Sequence, residues 1–109
     1  MKYALLSADC YPSVYLVPDS VADNLDMYCI EFCDHWLRES PDAAEYRAEY
    51  RMGHETLIGC SYNEEDFVKY LNRWIFPDQP SSFVETLEID PNPDADIPQK
   101  YKGCKWFNF

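Results

Sequence analysis

Five cysteines (Cys10, Cys29, Cys33, Cys60 and Cys104) and two histidines (His35 and His54) are the side chains in this 109-residue chain best suited to covalent or metal chemistry. A cysteine becomes a nucleophile when a base within hydrogen-bond reach takes its proton. No local signature of a Cys–His enzyme surrounds any of the five. Their ordinary role is that of small buried hydrophobes. Cys29 and Cys33 are four apart, so on a helix they share a face. His35 then lies about 160° around that helix from Cys33. Structural zinc takes four Cys or His ligands at short spacings, which these residues do not supply. Neither a metal nor a cofactor is expected.

Carboxylates are abundant but explained locally. Glu64-Glu65-Asp66 stands at a helix start, where the macrodipole stabilises negative charge by about 0.3–1 kcal/mol per group. Asp90, Asp94 and Asp96 fall in a Pro-rich loop without the spacing, Gly or terminal Glu of a calcium loop. Only 3 Gly are present, and there is neither a Gly-rich phosphate loop nor a nucleophile elbow. These patterns predict a protein that is not an enzyme.

The elements that would position these groups follow from periodicity. Tyr3 to Ala8 and Val14 to Val17 read as two adjacent strands joined at Tyr11-Pro12-Ser13. Pro18-Asp19-Ser20 opens a helix whose core stripe is Val21, Leu25, Tyr28, Cys29, Phe32 and Trp36, and which should stop by Ser40 before Pro41. Pro41 to Met52 is read as a second short helix, from Pro41 at its start, three alanines and the Tyr46–Tyr50 spacing. Thr56 to Cys60 is read as a strand. Ser61-x-x-Glu64 is a capping-box pattern before a helix with Phe67, Tyr70, Leu71, Trp74 and Ile75 on one face, ended by Pro77. Phe83 to Ile89 is read as a strand. Trp106, Phe107 and Phe109 should dock on the core. The expected architecture is one α+β domain over residues 1–109, a small mainly antiparallel sheet packed on two principal amphipathic helices.

One face of the long helix exceeds what a solvated surface requires. Asp19, Asp23, Asp26 and Asp34 fall within about 80° of one another, opposite the core stripe, on a 3.6-residue helix. Met27, Ile30 and Leu37 lie on or beside that face. Apolar residues rimmed by acids suit a partner-binding patch with steering charge. The plainer alternative is that Ile30 and Leu37 pack under another element. The candidate partner-binding residues are Asp19, Asp23, Asp26, Met27, Ile30 and Asp34.

The chain carries 20 acidic and 9 basic residues, a net charge of −11. A nucleic-acid binder needs a basic stripe to displace counterions, so direct nucleic-acid binding is not expected. Aromatics make up 17% of the residues, which argues against disorder. No apolar run nears the roughly 18–20 residues that cross a bilayer, and anionic lipid would repel the acidic surface. The odd cysteine count, the lack of CxxC and the lack of a leader-like first segment lead to reduced thiols in a cytoplasm. From Asp19 to Glu49 nine acids face only Arg38 and Arg47. Carboxylates spaced along a helix can present charge as a phosphate backbone does.

The chain resembles small acidic uncharacterised proteins of bacterial genomes and mobile elements. In size, acidity, cysteine usage and lack of catalytic motifs it is similar to phage-encoded anti-CRISPR proteins, which inhibit RNA-guided nucleases. That likeness implies an inhibitor, and with the charge pattern it gives the expectation of an acidic nucleic-acid mimic whose partner is a basic, nucleic-acid-binding protein. A monomer or weak homodimer is expected. The alternatives are a structural or homo-oligomeric assembly protein of a mobile element, and a small cysteine-dependent enzyme.

Overall fold

The computed structural model describes residues 1–90 and 96–109. Of the acids in the Pro-rich run, Asp94 lies outside the described residues, and Asp90 and Asp96 are exposed. The fold is α+β. Strands β1 (Lys2–Ser7) and β2 (Ser13–Val17) pair antiparallel, β5 (Ser82–Thr86) adds antiparallel to β2, and β6 (Trp106–Asn108) adds parallel to β1. The sheet order is β5-β2-β1-β6. Strands β3 (Arg47–Met52) and β4 (Glu55–Cys60) form a separate two-stranded hairpin.

The run from Ala4 to Leu6 is apolar without alternation because both sheet faces are covered. Ala4, Leu6, Tyr15 and Val17 point to the helices, whereas Leu5 and Val14 pack with Leu87 and Tyr101 on the other side. The parallel β6 strand is locked by side chains. The Ser7 hydroxyl and the Asp9 N–H both donate to Asn108 Oδ1 at 2.9 Å, and Trp106 Nε1 donates to the Ser7 hydroxyl at 3.0 Å. Trp106, Phe107 and Phe109 are thereby docked, as their apolar bulk demands.

The long helix departs from the regular helix that its stripe predicts. It consists of α1 (Asp19–Asp23), α2 (Leu25–Ile30), a π-helical stretch over Glu31–Trp36, and α3 (Leu37–Glu39). Asn24 breaks the first two at φ −129°, its side-chain amide donating to the Ser20 carbonyl. The core stripe survives: Val21, Leu25, Cys29 and Phe32 are buried, and Tyr28 and Trp36 are half-buried. A π stretch inserts one residue's worth of rotation, about 100°. Leu37 consequently turns away from the acid face and is fully buried, which corrects its expected place there.

Two other expectations are corrected. Residues 41–52 are not one helix: Pro41–Tyr46 is 3-10 helix, its start capped by the Ser40 hydroxyl accepting from the Asp42 N–H, and Arg47 onward is β3. Ala48 prefers helix locally, but the register Arg47↔Cys60 to Met52↔Glu55 satisfies this backbone across the hairpin instead. Helix α4 (Glu64–Tyr70) is capped by Asn63 with Asp66, not by Ser61 with Glu64. The bonds are reciprocal, Asn63 Oδ1 accepting from the Asp66 N–H and Asp66 Oδ2 from the Asn63 N–H. A second π stretch, Leu71–Ile75, then rotates Trp74 and Ile75 outward, to 41% and 37% exposure.

Phe32 occupies the centre of the core. Its ring lies 5.1 to 5.9 Å from those of Tyr70, Phe67, Tyr62, Trp36 and Phe109. Phe32→Ala should lower the unfolding free energy by about 3–5 kcal/mol in urea denaturation, against about 1 kcal/mol for Asn63→Ala at the helix cap. Equal losses for the two would refute the central role of Phe32.

Candidate partner-binding face

Six residues were expected to form the patch, and the helix breaks divide them into two groups. Asp19 and Asp23, on α1, are engaged by the chain's own cations. The Met1 amine lies 2.9 Å from Asp19 and the Lys2 ammonium 2.8 Å from Asp23. Lys105 also donates to the Asp23 backbone carbonyl. The hydrogen bond from the amine and its charge hold the Asp19 carboxyl below the usual carboxylate range, and the bond to Asp23 holds the Lys2 ammonium above its own.

Asp26, Met27, Ile30 and Asp34 form the second group. All are exposed, Met27 at 57% and Ile30 at 45%. Among the described residues neither Asp26 nor Asp34 meets a cation. Glu31 stands among them and accepts from His35 Nδ1 at 2.6 Å, one turn on. That bond, and then the Glu31 charge, raise the His35 pKa. Met27 and Ile30 are thus uncovered by the fold itself, in contrast to Leu37.

The cysteines give little support to thiol chemistry. Among the described residues no thiol hydrogen-bonds a histidine. Burial pushes the Cys29, Cys33 and Cys104 thiols up, and the Asp34 charge raises Cys33 further. A raised thiol pKa means less thiolate and a weaker nucleophile. No group of three or more His, Cys, Asp or Glu side chains converges among the described residues. No helix there is long and apolar enough to cross a membrane. Two open clefts of about 570 and 600 Å³ flank α4, one bordered by Trp36, Tyr46 and Trp74 and the other by Tyr11, Tyr15 and Phe83.

The hairpin β3–β4 is a second exposed surface, which the helical reading of residues 41–52 obscured. Tyr50, Met52, Leu57 and Ile58 are all exposed. Its signal was available: Ala48, Tyr50 and Met52 alternate, and Gly53-His54 is a two-residue loop with Gly53 at φ 65°. No family model, curated protein or solved structure matches the chain.

Two measurements follow. His35 should titrate by NMR above the ordinary 6.5, and Glu31→Gln should return it toward that value. The sign is that of a raised folded pKa: the Glu31–His35 contribution to stability is complete below the unfolded pKa and disappears as pH rises through the folded one. Iodoacetamide should label exposed Cys10 first and buried Cys29 only on unfolding. Fast labelling of native Cys29 would contradict its burial.

Proposed function

We propose that this chain is a non-enzymatic inhibitor that binds a basic nucleic-acid-handling protein and occupies its nucleic-acid groove. The observation that carries this reading is the exposed Met27–Ile30 pair between Asp26 and Asp34, two carboxylates without an intramolecular cation among the described residues. The α1 acids contribute less, because Met1 and Lys2 already neutralise Asp19 and Asp23.

Magnitudes assign each part a role. From Asp26 to Asp34 the helix rises about 12 Å at 1.5 Å per residue. Three carboxylates occupy that span, one of them bonded to His35, whereas a nucleic-acid strand places a phosphate about every 3.4 Å. The face is therefore a dilute mimic, and charge serves chiefly to steer and orient the encounter. Burying what remains exposed of Met27 and Ile30 would add roughly 1–1.5 kcal/mol each. A CRISPR-associated nuclease is the partner that the resemblance implies, and the cytoplasm is the compartment that the cysteine usage implies. Five unbridged cysteines agree with a reducing compartment.

The test is a binding and inhibition assay against a panel of basic nucleases and polymerases, with nucleic acid as competitor. Inhibition should be relieved by excess nucleic acid and should weaken as salt rises. Asp26→Asn with Asp34→Asn should reduce affinity about five- to tenfold and flatten its salt dependence, while Asp19→Asn and Asp23→Asn have smaller effects. Ile30→Ala should weaken binding with the salt dependence kept. Affinity should also fall as pH drops through the raised His35 pKa, since the imidazolium adds positive charge to the face. If the Asp26 and Asp34 changes left both affinity and its salt dependence untouched, the face would be wrongly assigned.

A further inference from the structure

We propose that the β3–β4 hairpin is a self-association arm: two copies pair antiparallel along the outer edge of β3, in the register that sets Tyr50 beside Tyr50. This surface is separate from the helical face and does not rest on the function proposed for it.

The arm is uncovered. Every residue from Ala48 to Ile58 is exposed, and the arm is held at its base, where Arg47 donates to the Leu37 carbonyl at 2.8 Å. The molecule is correspondingly elongated: its radius of gyration is 15.1 Å, against about 13 Å for a compact chain of this length. A two-stranded hairpin alone in water is marginal. Yet the cross-strand pairs gather Ala48, Tyr50, Met52, Leu57 and Gly59 on one face, ended by Glu55 at the turn, with the Tyr50 ring lying so close over Gly59 that a Cβ there would come within 2.6 Å of it.

The outer edge of β3 is open in a defined pattern. The Ser61 N–H donates to the Tyr46 carbonyl at 2.9 Å, continuing the register of the hairpin. By the alternation of an antiparallel ladder, Ala48, Tyr50 and Met52 bond to β4, and Glu49 and Arg51 turn their N–H and C=O groups outward, while the Arg47 N–H is already taken by the Ala44 carbonyl. No proline, lysine or bulge blunts this edge. The edges of the four-stranded sheet are less suitable, β6 having three residues and β5 an irregular register against β2.

Charge selects the occupant and the register. The two Arg and two Glu of the arm cancel, so the net −11 of the chain lies outside it. Two copies repel elsewhere and meet without that penalty at the arm. Centred on Tyr50, the β3 pairing sets Glu49 opposite Arg51 twice, as hydrogen-bonded pairs, and Ala48 opposite Met52. Centred one residue earlier, Glu49 meets Glu49 and Arg47 meets Arg51; one residue later, Arg51 meets Arg51. Two six-residue strands bury less than the roughly 800 Å² per partner of a standard interface, so the dimer is weak and concentration-dependent.

Sedimentation equilibrium tests this with five proteins whose circular dichroism is checked first. The wild-type chain should dimerise below about 0.5 mM. Arg51→Glu or Glu49→Arg, each creating two like-charge pairs, should raise the dimer Kd on the order of tenfold. The double reversal should restore it, and an equimolar mixture of the two single variants should recover the association that each alone has lost. Glu49→Gln with Arg51→Gln reads the same pairs should a reversal disturb the arm, and should weaken the dimer several-fold. A wild-type monomer at that concentration, a dimer indifferent to these changes, or singles that weaken without recovery in the double would each overturn the proposal.

Discussion

Phe32 is the ring on which the rest of the molecule depends. It lies within aromatic contact of α4 through Phe67 and Tyr70, of the segment before α4 through Tyr62, and of the β6 end through Phe109. These contacts join residues far apart in sequence, and edge-to-face aromatic pairs add about 0.5–1.5 kcal/mol each beyond the area they bury. With the π stretch that carries Phe32 held against α4 in this way, the preceding α2 buries Leu25 and Cys29 and leaves Met27 and Ile30 on its outer side. The exposure of Met27 and Ile30 is thus a consequence of how Phe32 packs.

Both principal helices place a π stretch at this aromatic contact: Glu31–Trp36 contains Phe32 and Trp36 themselves, and Leu71–Ile75 follows directly on Phe67 and Tyr70. The extra rotation has opposite results. In the first helix it carries Leu37 inward, which confines the outward apolar patch to Met27 and Ile30. In the second it carries Trp74 and Ile75 outward. Trp74 then packs beneath the Arg73 guanidinium, 4.9 Å from the ring centre, which shields part of its face from water.

Charge is distributed as unevenly as apolar surface. The Met1 amine, Lys2 and Lys105 gather at the α1 acids, and Lys100 pairs with Glu85 at 3.0 Å, beside the Tyr101 hydroxyl that donates to the same carboxylate. The ion pairs among the described residues thus form elsewhere, leaving Asp26 and Asp34 open. The arm is the neutral exception to an acidic body. An acidic helical face and a neutral open strand edge are physically different surfaces, suited to a cationic partner and to a strand of matched charge respectively.

Local chemistry made much of this legible. The β1–β2 hairpin, the buried stripe Val21-Leu25-Cys29-Phe32, the stop at Ser40 before proline and the docking of Trp106, Phe107 and Phe109 all follow from periodicity, turn residues and the bulk of apolar side chains. The helical spacing of four aspartates is equally legible, but the break at Asn24 and the π stretch divide them into two groups that a regular helix would have merged. Tertiary structure decided what propensity leaves undetermined. It made Ala48 and Tyr50 strand, because pairing with β4 satisfies more backbone than one short isolated helix could. It chose Asn63 over Ser61 as the cap, and it set the phase of Leu37, Trp74 and Ile75 through two π stretches that no residue pattern announces. It also chose which aspartates keep a free charge, since whether Lys2 reaches Asp23 or Asp26 depends on where β1 starts relative to α1. A single chain position encodes its own preferences, whereas helix phase and ion-pair partners depend on the segments that happen to lie beside it.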